Sequence, residues 1–255
     1  DSIMRHAKGD FAAETSAWEQ RPYPPRKEPY KTLFLLHGIS GNHADWISET
    51  RIRNWAESHG IAVGMPSGYN AFYLDHPETH NYYGRYVGLE LVEAARRMFP
   101  ISRRREDTFI GGLSMGAGGA LNLGIRRPEL YSRVIALSGG MNFLDAMDTS
   151  KPESYESPWP WKAIFEPPYD GKGSGLDDLP ILKERIAQGA ELPKFYLAVG
   201  TEDFIYQHAR KTKAIMEELG LDLTFEEGPG IHDWDFWDEY IQHAIKWLQL
   251  KETTV

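Results

Sequence analysis

The stretch that decides the reading is Thr108-Phe109-Ile110-Gly111-Gly112-Leu113-Ser114-Met115-Gly116-Ala117-Gly118-Gly119. It predicts a short apolar strand, a turn crowded with glycine, and a helix continuing through Ala120, Leu121 and Leu123. At the turn, Gly112-Leu113-Ser114-Met115-Gly116 has the G-x-S-x-G spacing. That spacing serves a chemical need. A serine on a tight strand-to-helix turn presents its hydroxyl, and glycines two residues either side let the strand and helix backbones approach. The helix N-terminus behind it offers amide protons where negative charge would develop. Ser114 is therefore the candidate nucleophile; the competing reading is a plain glycine-rich turn.

Outward from this element, apolar runs of strand length recur. They are Thr32 to Leu36, Ile61 to Met65, Val134 to Leu137, Phe195 to Val199 and Leu223 to Phe225. Helical patterns lie between them: Ile47 to His59, a stripe of Leu91, Ala94, Ala95 and Met98, a segment near Leu179 to Gln188, and Thr212 to Leu219. A last helix carries Tyr240, Ile241, Ala244, Ile245 and Leu248 on one face. Buried strands alternating with helices predict an α/β protein, with a mostly parallel central sheet covered on both faces. Before Tyr30 only weak strands are legible, around Ile3 to His6 and Ala12 to Trp18. Residues 1–255 read as a single domain, without internal repeat or linker.

Within it, Lys151 to Gly175 changes character. Five prolines interleave with Tyr155, Trp159, Trp161, Phe165 and Tyr169, which predicts a cap or pocket wall rather than a simple connection. Trp159 and Trp161 are the candidate substrate-binding residues there. The alternative is a satellite core that never meets substrate.

Composition narrows the function classes. A formal charge of −9 argues against nucleic acid and anionic membranes as partners. No window approaches the roughly 18 apolar residues of a membrane span. The absence of cysteine excludes disulfides, thiolate metal sites and cysteine nucleophiles. His76-Pro77-Glu78-Thr79-His80 superficially suggests a metal site, but the order differs from H-E-x-x-H and Pro77 opposes a helix, so no metal is expected. A cytoplasmic location is expected, with secretion left open, as is association with further copies of the chain.

In parallel sheets the loops after the strands carry function. Asp203 follows the strand ending at Val199, and His232 lies in the glycine-flanked loop after the last strand. Ser114, Asp203 and His232 thus occur in the order nucleophile, acid, base. The serine needs a neutral imidazole to take its proton, and the imidazole needs a carboxylate to fix its tautomer. Glu202 is the alternative acid. His208 and His243 fall in predicted helices, His37 at a strand end, and His43 and His59 in a loop and at a helix end; all five read as structural. The backbone N–H groups of Met115 and Ile39 are the candidate oxyanion donors, with Ser40 as the alternative to Ile39.

With these residues assembled, the chain resembles the esterase D-like branch of the α/β-hydrolase fold, and within it the bacterial tributyrin esterases. The likeness rests on Leu35 to His43 with Trp46, on Thr108 to Gly116, on Gly200-Thr201-Glu202-Asp203, and on His232-Asp233-Trp234 with Trp237. The resemblance implies a Ser114–Asp203–His232 triad, an oxyanion hole from Ile39 and Met115, and hydrolysis of short acyl esters through an acyl-enzyme. It implies a small-molecule ester as partner and no cofactor. Feruloyl esterases, acetylxylan esterases and acyltransferases share that triad and stand as alternatives; a non-catalytic binding module on the same fold is the rival from another class.

Overall fold

The computed structural model describes residues 28–77, 80–142, 175 and 177–250. The weak strands expected before Tyr30, and Trp159 and Trp161, lie outside that set. Six strands form one sheet: β1 (Thr32–Leu36), β2 (Ala62–Gly64), β5 (Thr108–Leu113), β6 (Arg133–Leu137), β7 (Lys194–Gly200) and β8 (Leu223–Gly228). Their order is β2-β1-β5-β6-β7-β8, and every neighbouring pair is parallel. A separate antiparallel pair, β3 (Asp75–His76) with β4 (Asn81–Tyr82), lies in the chain between β2 and β5.

Side chains alternate across the sheet because successive residues of a strand point to opposite faces. Phe34, Leu36, Ile110, Val134 and Leu197 pack on one side against α5 (Met115–Arg126), with α6 (Asp178–Ala187) and α7 (Tyr206–Glu218) closing the same core. Leu33, Leu35, Phe109, Ile135 and Tyr196 pack on the other side against α1 (Asp45–Glu49), α2 (Ile52–His59) and α8 (Trp234–Trp247). Both faces are buried, so the strands read as unbroken apolar runs. Each fully buried leucine contributes about 1.5–3 kcal/mol of transfer free energy.

Two helical expectations need correction. The single helix predicted from Ile47 to His59 is two, α1 and α2. The break falls at Thr50, whose extended backbone and hydroxyl bond to the Trp46 carbonyl interrupt the helix. The stripe of Leu91, Ala94, Ala95 and Met98 is only half inward: Leu91 and Ala95 pack on the core beside the fully buried Val92, while Met98 is 72% exposed. A π-helical turn, Tyr86–Glu90, joins α3 (Tyr83–Arg85) to α4 (Leu91–Met98).

The strand order reverses between β1 and β5, since β2 lies outside one and β6 outside the other. That is the switch point, where the loops leaving two adjacent parallel strands diverge and open a crevice. The loop after β1 begins at His37; the turn after β5 is Ser114.

Candidate active site

Ser114 stands at the N-cap of α5 with φ 52° and ψ −118°, a left-handed conformation costly for a non-glycine residue. The flanking glycines make the turn feasible. A Cβ on Gly112 would sit 2.5 Å from the Gly116 carbonyl carbon, and one on Gly116 would sit 2.4 Å from the Leu36 oxygen. The Ser114 amide donates to the Leu137 carbonyl at 2.9 Å, tying the elbow to the end of β6. Its carbonyl accepts from the amides of Ala117 and Gly118, starting the helix.

The loop after β1 lies directly beside this serine: a Cβ on Gly38 would approach Ser114 Cβ to 3.6 Å. His37 braces the loop from below. Its Nδ1 bonds the Gly38 carbonyl at 2.6 Å, and its Nε2 faces the Gly68 amide at 2.8 Å. An amide N–H can only donate, so Nε2 accepts and the proton resides on Nδ1. Burial lowers the His37 pKa, keeping the ring neutral in that tautomer. Ser40 donates its amide to Asn70 Oδ1 at 2.7 Å, which commits the N–H that the alternative oxyanion donor would use. Ile39 packs against the core beside Gly38, and Met115 opens the helix after Ser114.

Asp203 and His232 are in direct contact. His232 Nδ1 lies 3.0 and 2.9 Å from the two Asp203 oxygens, and Asp203 Oδ1 also accepts the Ile205 amide at 3.0 Å. Burial alone would raise the Asp203 pKa. The hydrogen bonds from His232 and Ile205, with a weaker contribution from Ser138, outweigh it and leave the carboxyl below its ordinary range. An ionised Asp203 makes Nδ1 the donor and leaves Nε2 of His232 with its lone pair. The Asp203 side chain is fully enclosed, whereas that of His232 is 18% exposed. This is the asymmetry expected of a hidden acid and a base that must reach substrate.

Local structure explains why the two meet. Asp233 caps α8, accepting the Phe236 amide at 3.1 Å, which fixes the residue before it at the helix mouth. Phe204 lies 4.5 Å from the His232 ring on one side, and Trp237 meets it edge-on at 5.0 Å. Glu202, the alternative acid, turns elsewhere: its carboxylate accepts the Gly230 amide at 2.7 Å and the Thr201 hydroxyl at 2.8 Å.

The other histidines have separate partners. His43 bonds Ser67, His59 bonds the Trp55 carbonyl, and His243 bonds Glu226. His208 is buried within α7. Among the described residues no group of three or more His, Asp or Glu side chains could hold a metal ion, and no helix is long and apolar enough to cross a membrane. One contributor was missed in the sequence: Ser138, the residue directly after β6, to which no role was given. A serine ending the strand between the nucleophile's strand and the acid's strand was the available signal.

These features define a serine hydrolase of the α/β-hydrolase fold. The sequence matches the Esterase family, described as “Putative esterase”, over residues 18–248, and the chain belongs to that family. It is 38% identical over 223 residues to an acetyl esterase of Caldicellulosiruptor saccharolyticus, covering 87% of this chain and 84% of that one. Its structure is similar to FphF, a fluorophosphonate-binding serine hydrolase of Staphylococcus aureus, with TM-score 0.79 and 29% identity over 89% of this chain and 87% of that one. It is also similar to the S-formylglutathione hydrolase FrmB of S. aureus, with TM-score 0.70 and 28% identity over 87% and 82%. The protein is a serine esterase, a carboxylic ester hydrolase.

Proposed function

We propose that Ser114, Asp203 and His232 are the catalytic triad of an esterase for short acyl esters, of the esterase D-like, tributyrin-esterase type. The observation that carries this is the Asp203–His232 contact, made by the loops after β7 and β8 at the same end of the parallel sheet as the Ser114 turn after β5. In this mechanism the Ser114 Oγ attacks the ester carbonyl while His232 Nε2 takes its proton. The oxyanion is bound by the backbone N–H groups of Ile39 and Met115. Imidazolium then protonates the departing alcohol, leaving an acyl-serine. Water, activated by the same imidazole, attacks that ester and releases the acid. Asp203 stays ionised throughout and holds the ring.

The small-molecule ester substrate follows from this chemistry, and the acetyl esterase relative supports a short acyl group. Trp159 and Trp161 wall the acyl pocket in this reading, which rests on their sequence setting alone. A fluorophosphonate probe tests the assignment: it labels the wild type and leaves Ser114→Ala unlabelled. Labelling of the alanine variant at another serine removes Ser114 from the mechanism. Hydrolysis rates over acetyl, butyryl, octanoyl and feruloyl esters then set the acyl range, and partition between water and added alcohols separates hydrolase from acyltransferase.

A further inference from the structure

We infer that Trp237 and Ser138 are positioning residues that orient the acid–base pair jointly, one through the imidazole and both through the carboxylate. The inference rests on the triad reading above. Trp237 sits one turn into α8 from His232 and contacts both that ring and Ser138. Its indole stands edge-on to the His232 ring, with centroids 5.0 Å apart and planes at 87°. Its Nε1 donates to Ser138 Oγ at 2.9 Å in a buried setting.

The second contact has a directional consequence. An indole N–H is only a donor, so it occupies a lone pair of the serine oxygen and leaves the hydroxyl proton to find another acceptor. In this inference it goes to Asp203: the Ser138 amide is hydrogen-bonded to Ala198 on β7, the strand that leads into Asp203, and Ser138 is the weakest of the groups that favour the charged form of that carboxylate. Donors therefore converge on Asp203, with Trp237 acting through the Ser138 hydroxyl on one side and His232 Nδ1 donating directly on the other. Ser138 is held for this purpose: it is fully buried, it adopts φ 50°, and its amide donates to the Ala198 carbonyl at 2.8 Å. No catalytic duty in the triad requires a hydroxyl there, yet one occupies a strained position at the end of β6.

Trp237 is itself wedged. Trp234 meets it edge-on at 5.0 Å, and Trp46 meets Trp234 at 5.8 Å. The Trp46 indole N–H donates to the Leu36 carbonyl at 3.0 Å, where β1 gives way to the loop beside Ser114. A continuous tryptophan wall thus links the base to that loop. The charged neighbours do not compete for the pair. Glu202 is held by the Gly230 amide, and Asp233 is held by the Phe236 amide.

Ser138→Ala removes the hydroxyl, and Trp237→Phe keeps a ring edge against His232 while removing the N–H. Both are measured with p-nitrophenyl acetate across pH 5 to 9, with rates referred to sites titrated by a phosphonate. Each variant is expected to lower kcat about tenfold, the scale of one hydrogen bond to a charged group, with KM little changed. The acid limb of kcat/KM should move upward by a few tenths of a pH unit, because an Asp203 with one donor fewer concentrates its charge on the imidazolium. The double variant should be no worse than the poorer single one, since the two act in series. Wild-type kcat per titrated site and an unmoved acid limb in Ser138→Ala would overturn the inference, whatever the melting temperature does. So would strictly additive losses. A wild type that the phosphonate fails to titrate overturns the triad reading itself, a separate result from unchanged variants in an enzyme that titrates.

Discussion

Glu202 accepts the backbone amide of Gly230 at 2.7 Å, while Asp203, the very next residue, accepts the imidazole of His232. Two adjacent carboxylates thus divide one loop between them, the first fastening it and the second working in it. A Cβ on Gly200 would lie 2.1 Å from the Gly230 oxygen, so the two loops are already in backbone contact at the strand ends.

The division predicts unequal amide variants. Asp203→Asn presents an NH2 group to His232 and favours the wrong tautomer, so kcat should fall by about 10³–10⁴-fold. Glu202→Gln keeps an oxygen for the Gly230 amide and should stay within about threefold of wild type. Steady-state kinetics on both variants decide the matter, and a reversed ranking would show that the wrong carboxylate has been assigned.

Ser114 carries a conformational cost, and in the proposed mechanism it is the nucleophile. Ser114→Ala and Ser114→Gly should both lose turnover by at least about a thousandfold. Glycine alone also relieves the positive φ, so Ser114→Gly should be more stable than Ser114→Ala by about 1 kcal/mol. Urea denaturation compares the two; equal midpoints would argue that the elbow is not strained in solution.

Gly116→Ala is expected to damage the fold rather than the chemistry alone. The new methyl would meet the Leu36 and His37 carbonyl oxygens at 2.4 and 2.7 Å, backbone atoms that cannot rotate away. A loss of about 2–4 kcal/mol in unfolding free energy is expected, as for other overpacked core positions. An alanine variant with the wild-type denaturation midpoint contradicts this packing.

Asp178 predicts a pH effect away from the site. It is fully buried in α6, accepts Asn122 Nδ2 at 2.7 Å, and burial pushes its pKa up to about 7. The folded state then holds its proton more tightly than the unfolded chain does. Stability from this group is full below about pH 4 and is lost as pH rises through 7. Asp178→Asn removes the titration and should flatten the melting temperature between pH 4 and 8, with its advantage over wild type greatest at pH 8. Parallel melting curves for the two proteins across that range would contradict it.

Much of this architecture was legible because its signals are local. The runs at Thr32 to Leu36 and Phe195 to Val199 are buried on both faces, and G-x-S-x-G packs its steric requirement into five residues. Asp203 and His232 could be read from their places after late strands. What was hidden depends on neighbours distant in sequence. The core side of α4 is centred on Val92, with Met98 left outside, because the neighbours it packs on come from elsewhere in the chain. The contact that turns Glu202 away from His232 is with Gly230, far along the chain, and Ser138 acquires its place only when β6 is laid between β5 and β7.

The pairing of β1 with β5 sets Leu36 opposite Gly112 and Leu35 opposite Gly111. The spacing between the Gly38 loop and Ser114 is therefore dictated by main-chain hydrogen bonds and by the glycines that let those backbones meet. Sequence drift in either core can soften or stiffen the surroundings while leaving that spacing intact. Substrate preference can accordingly diverge among relatives through the loops alone, with the reacting geometry inherited unchanged.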